Sequence, residues 1–422
     1  MISFLHNPRK NNRLLKLIIS IPIINVLASL ATNHEIGIGS FHFGYLRGII
    51  LTVLGLYLLF SVNKNKYFSI ITVLLVVYTF ILCLFSKDII QSLIIWNKFF
   101  ISSTLFFAGF YIIQGLQQYN QLLKSTSIAI LLILIYILSS NILGFGIATY
   151  GDKSITFGET GVNIVKSLGV FLIISPLLVV FIKKKHRKWY LALVLLSIIV
   201  LLLGLKRGTI LGVTIGFTTF LFFSPSKLRY LRLAPLIIVF LIPLIIIFKS
   251  DILSSYTQRV ERLDGETIVK TGTNSDESEG RTIELVWVLQ RFNDGNITFK
   301  LFGEDPLLVR QNALGIRGYS RINHMDFTSV LDSFGLIGFT LFTLWYLCIL
   351  RYLLKLKRLV KKSVKKEMLA VSLALFFAHI PYSISGTIPG IDLRGLLLLH
   401  LGALIALVIR KETNMKKPII ND

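Results

Sequence analysis

Apolar residues in this chain fall into about a dozen continuous runs of roughly 16–24 residues, separated by short charged or polar stretches. A run of about 20 such residues forms a helix long enough to cross the roughly 30 Å hydrocarbon core of a bilayer. A membrane β-barrel would show shorter segments alternating between apolar and polar positions, and that pattern is absent. The runs predict twelve helices near 14–32, 43–62, 68–86, 96–116, 126–148, 161–182, 189–205, 208–224, 233–249, 327–350, 368–387 and 393–409. The expected fold class is therefore all-α and polytopic, with about twelve transmembrane helices. Residues 1–249 carry the first nine, 250–326 form one large loop, and 327–422 carry the last three with basic flanking segments. The first run has a signal-like basic flank, but Pro22 and Asn25 interrupt it, and a retained anchor is expected.

Composition agrees with the pattern. The chain is 54% hydrophobic and 16% charged, with mean hydropathy +0.73, against about 45–50% apolar and 25% charged in soluble domains. The net charge of +24 raises the question of a nucleic-acid partner, and its distribution answers no. Basic residues cluster at Arg9 to Lys16, Lys64 and Lys66, Lys124, Lys183 to Lys188, Lys227 to Arg232, Arg351 to Lys366 and Arg410 to Lys417. These segments alternate between successive spans and hold 27 of the 45 basic residues against three acids. That is the positive-inside pattern. It puts both termini in the cytoplasm and the 250–326 loop outside. Cys83 and Cys348 lie inside spans three and ten, so no disulfide or metal framework can be read from them.

The large loop is the expected seat of chemistry, because every other connection is shorter than about 20 residues. Residues 251–264 read as a short amphipathic helix and 271–280 as an acidic linker. Residues 281–292 offer Leu285, Val286, Trp287, Leu289 and Phe292 for burial, with Trp287 suited to an interface. A basic stretch follows with Arg317 and Arg321, and His324 is the loop's single histidine. Asp326 and Asp332 open span ten. Asp332 is positioned to orient His324, to hold a sugar hydroxyl, or to pair with Arg394. His379 and His400 lie within spans and are expected to hydrogen-bond between helices.

Lys206 and Arg207 occupy a tight turn on the side where the charge rule disfavours cations. One reading is a pair snorkelling at a helix end. The other is an anion clamp. Gly208 follows Arg207, so the next helix begins at the arginine and adds its free N–H groups and dipole to the guanidinium, a combination suited to phosphate.

The turn LLLGLKRGTILG, a long loop, Gly280-Arg281 with Trp287, and Asn323-His324 before a span containing FGLIG occur in this order. Together they resemble the O-antigen polymerase and ligase superfamily over roughly residues 190–345. Lys206 stands where a serine is common, and Asn323 precedes rather than follows the histidine. The resemblance implies a GT-C glycosyltransferase that needs no metal or other cofactor, with an undecaprenyl-diphosphate-linked glycan as donor, in a bacterial plasma membrane. A flippase and a chain-length regulator would be its candidate partners. Arg207 and Arg281 match the family's arginines, and His324 would be its general base, with imidazole in the right pKa range. Lys206 and Trp287 would then contact substrate. Arg317 and Arg321 are added from charge placement alone, and Asp332 as a further candidate. Three functions compete: a repeat-unit polymerase, a ligase moving finished glycan to a lipid or protein acceptor, and a transporter or flippase. The scarcity of acids in the spans and the lack of symmetry between halves weigh against the last.

Overall fold

The computed structural model describes residues 8–33, 37–38, 41–61, 66–144, 162–181, 186–203, 207–225, 280–307, 326–385 and 391–410. Thirteen α-helices occur among them. They are α1 (Pro8–Asn33), α2 (Phe43–Ser61), α3 (Lys66–Cys83), α4 (Ile89–Ile112), α5 (Leu116–Leu143), α6 (Val162–Phe181), α7 (Arg187–Leu203) and α8 (Arg207–Phe223). After these come α9 (Gly280–Asp294), α10 (Ile297–Phe302), α11 (Asp326–Leu359), α12 (Ser363–Ser385), a π-helical turn at Ile391–Gly395, and α13 (Leu396–Ile409). A two-residue antiparallel pair, Gly37–Ile38 with Phe41–His42, joins α1 to α2. This is a helical membrane protein: α1, α4, α5, α11 and the segment Ile391–Ile409 are each long and apolar enough to cross a bilayer. Shorter apolar stretches lie in α2, α3, α6 and α8.

Eleven of the twelve expected segments coincide with helices; the ninth, 233–249, lies outside the described residues. Boundaries of three helices move. Helix α4 begins seven residues early because Asp88 accepts the Gln91 N–H at 3.0 Å and caps it. Helix α5 begins at Leu116 and stops at Gly144, whose φ of 70° ends it with a left-handed turn. Helix α11 continues past residue 350 because the basic stretch to Leu359 is itself helical.

Helix α13 is apolar on all sides and buried along nearly its whole length. It packs on α4 and α12. Glycines permit the α4 contact: a Cβ at Gly109 would overlap the Leu399 carbonyl, and one at Gly402 the Phe106 carbonyl. Dispersion forces, rather than water exclusion, hold helices together in lipid, so this close backbone approach favours association. Helix α12 packs on α8 and α6, with Tyr382 seated against Gly212 and Gly169. Cys83 and Cys348 are both free thiols, as the sequence implies.

Helix α11 is broken. Gly335 has φ 61° and ψ −164°, a conformation open essentially to glycine alone. The end of α10 and the turn after it pack into the break, Gly335 against the Leu301–Phe302 backbone and Gly303 (φ 76°) against that of Ser333 and Phe334. Backbone groups freed by the break find partners. Tyr78 donates to the Phe334 carbonyl at 2.9 Å, and the Glu304 N–H donates to the Asp332 carbonyl at 3.2 Å. The FGLIG stretch of span ten is thus a discontinuity, although its sequence reads as continuous apolar helix.

Candidate functional site

A buried polar network gathers at one end of the bundle, where α11 starts and the π-turn enters α13. Asp326 is fully buried and forms an ion pair with Arg394, itself 5% exposed. Arg394 also donates from Nε to His379 Nε2 at 3.3 Å, while Ser383 Oγ lies 2.9 Å from His379 Nδ1. A guanidinium can only donate, so His379 accepts at Nε2, carries its proton on Nδ1 and donates it to Ser383. Tyr346 on α11 lies 3.2 Å from the same Nε2. Ser383 also lies within electrostatic reach of Asp326, and the buried Lys166 of α6 adds positive charge near that carboxylate. Desolvated charges of opposite sign are tolerated here because each has a hydrogen-bonded counterpart. One Asp326 oxygen, Oδ1, has no hydrogen-bond partner.

The π-turn extends the network. Asp392 accepts from Arg47 at 3.1 Å and from Ser29 at 3.1 Å, and its carbonyl accepts from Ser167 at 3.2 Å. Lys98 on α4 lies within electrostatic reach of Arg47 and Asp392. Insertion of a π-turn puts Asp392 and Arg394, two residues apart, toward different partners. Among the described residues the network therefore joins Arg47, Lys98, Lys166 and Arg394 to Asp326 and Asp392.

A second polar cluster lies at the α11 break. Arg291 of α9 bonds Asp332 at 2.8 Å and Glu304 at 2.5 Å. Lys87 bonds Asp305 at 2.6 Å, and that hydrogen bond, with the carboxylate's charge, raises the ammonium pKa above its ordinary value. The turn is strained, with φ 44° at Asp305 and 65° at Leu307. Ser92 donates to the Pro306 carbonyl at 2.6 Å, and Ser333 accepts the Leu307 N–H at 3.0 Å, fixing it. Asp332 Oδ2 is buried without a hydrogen-bond partner.

Several sequence expectations are corrected by this geometry. Asp332 pairs with Arg291, and it is Asp326 that pairs with Arg394. On α9, Val288 is fully buried whereas Leu289 is 50% exposed, because the helix turns about 100° per residue and aims Val288 inward. Asp332 is the one acid inside the twelve expected spans, and it is buried with Arg291 as its partner; Asp326 and Glu367, at the edges of spans, are also buried with bonded partners. His379 and His400 do bond between helices, His400 to Tyr119 at 3.3 Å and to Thr126 at 3.0 Å.

Arg207 lies on α8, whose described residues begin with it. Its helix places Thr209 against Gly169, one turn from Lys166 on α6, and Gly212 against Tyr382 on α12. Arg281 and Trp287 are on α9, whose Arg291 reaches Asp332. Lys206, Arg317, Arg321 and His324 lie outside the described residues. Sequence reasoning passed over Arg47, Lys166, Arg291 and Asp392. Arg47, Lys98 and Lys166 carried the same signal as Lys206 and Arg207, a cation at the end of a span opposite the basic segments.

No family model matches the chain, and no curated protein matches it.

Proposed function

We propose that the chain is a GT-C-type membrane glycosyltransferase. It joins undecaprenyl-diphosphate-linked oligosaccharide repeat units into a polysaccharide on the external face of a bacterial plasma membrane, through twelve spans with both termini cytoplasmic. The observation that carries this reading is the packing of α8, the helix that carries Arg207, on α6 through Thr209 and Gly169, one turn from Lys166, and on α12 through Gly212 and Tyr382, the residue before Ser383. Free N–H groups and fixed cations suit a diphosphate. The acceptor hydroxyl oxygen attacks the anomeric carbon, and the carbon–oxygen bond to the diphosphate breaks with its electron pair leaving on phosphate. Arg207 and the α8 N-terminus stabilise that departing charge. The hydroxyl proton passes to a base: His324 by resemblance, or the buried Asp332, whose Oδ2 has no hydrogen-bond partner. His379 is unsuited to that role, because Arg394 already occupies its acceptor nitrogen.

A transporter or flippase is the second reading. The break at Gly335 next to the Asp332–Arg291 pair favours it, since discontinuous helices with buried charge also mark transport sites. Proteoliposomes loaded with a synthetic undecaprenyl-diphosphate oligosaccharide separate the cases. A ladder of repeat multiples is expected. A single shift that depends on a different acceptor means a ligase, and movement of intact donor without new glycosidic bonds means a flippase.

A further inference from the structure

At the opposite end of the bundle an open cavity of about 610 Å³ lies between α4, α11 and α13. Asp326 and Arg351 are separated by on the order of 35 Å of helix at 1.5 Å per residue, so the cavity is remote from the polar network. One wall is aromatic. Phe106 stacks on Phe110 and Phe107 on Tyr111, with centroids 6.1 and 6.2 Å apart, giving two parallel ladders along α4. Cys348, Ile349, Arg351, Tyr352 and Lys355 of α11 form the facing wall.

The charge of this lining is one-sided. Arg351 and Lys355 are one helical turn apart on one face of α11, and among the described residues no acid lines the cavity. Neighbouring cations at the same end are engaged. Arg410 donates to the Ile113 and Phe110 carbonyls, Lys365 to those of Val408 and Arg410, and Lys357 sits 4.5 Å over the Phe223 ring. Among the described residues, no hydrogen bond or ion pair holds Arg351 or Lys355.

We infer that this cavity is a binding site for an anionic glycerophospholipid of the adjoining leaflet. The aromatic ladders take an acyl chain, and Arg351 and Lys355 hold the phosphate. The cavity volume falls in the range of about 300–1,000 Å³ for small-molecule sites, and basic pockets between membrane helices suit anionic headgroups. The inference rests on the membrane-protein architecture and is independent of the transfer chemistry.

Cys348 lines the cavity and is partly exposed, whereas Cys83 is fully buried, so maleimide alkylation of Cys348 reads occupancy locally. The full chain would be placed in nanodiscs of phosphatidylcholine alone or containing phosphatidylglycerol. Phosphatidylglycerol should slow alkylation, and Cys348→Ser should remove the signal. Two cations near a membrane surface correspond to roughly a 30-fold difference in lipid affinity. The Arg351→Gln/Lys355→Gln variant should therefore label at the phosphatidylcholine rate, while Lys361→Gln/Lys362→Gln, with the same charge loss outside the cavity, keeps its protection. A single label per chain verifies that each variant is folded, since unfolding would expose Cys83 as well. Equal rates in the two lipids would overturn the inference. So would equal loss of protection in both double variants, or stronger protection by undecaprenyl diphosphate than by phosphatidylglycerol.

Discussion

Replacing Gly335 with alanine should loosen the α10–α11 junction. At φ 61° and ψ −164° a side chain costs about 1–3 kcal/mol in backbone conformation alone. The new Cβ would also overlap the Leu301 carbonyl, and overpacking of this kind costs a further ~1–3 kcal/mol. The sum, about 2–6 kcal/mol, is a large share of a stability on the order of 5–15 kcal/mol. A cheaper outcome for the variant is to release the turn at 303–307 and straighten α11, which would part Arg291 from Asp332. Gly303→Ala strikes the same contact from the other side, because its Cβ would meet the Ser333–Phe334 backbone. The two substitutions should therefore cost less together than the sum of each alone. Thermal unfolding in nanodiscs gives the loss of stability, and hydrogen exchange across 297–307 locates it. A change below about 1 kcal/mol with unchanged exchange would refute the interlocked-glycine account.

Arg394→Met leaves Asp326 buried without its counter-ion and should destabilise the protein by about 3–5 kcal/mol, while Asp326→Asn/Arg394→Met should recover part of that loss in the same unfolding assay; additive effects would show that the pair does not couple. Arg207→Ala should reduce glycan transfer by about 10²–10³ at normal protein levels, with Arg207→Lys only partly active because an ammonium lacks the bidentate fork; near-normal product ladders would eliminate the anion clamp. Cysteines introduced at Ser275 and Ser363 should show opposite accessibility to an impermeant reagent in cells or spheroplasts, and labelling of both would defeat the proposed topology.

Helix positions were legible in the sequence because a bilayer-spanning helix must satisfy its backbone internally and present apolar side chains along its length. That one-dimensional constraint located α1 to α8 and α11 to α13 to within a few residues at most ends, with the start of α5 and the basic end of α11 shifting most. Pairing was a different matter. Asp332 lay as open to Arg394 as to any other cation in the sequence, and only the packing of α9 against α11 assigned it to Arg291. Asp392 and Arg394 gained separate partners from a π-turn that apolar periodicity does not encode, and the break at Gly335 packs against Leu301 and Phe302, more than thirty residues away in the chain. Hydropathy is a property of a residue and its neighbours in sequence. Which charges neutralise one another is decided by distance in space, because a buried ion finds its stabilisation only in the groups the fold brings within a few ångströms of it.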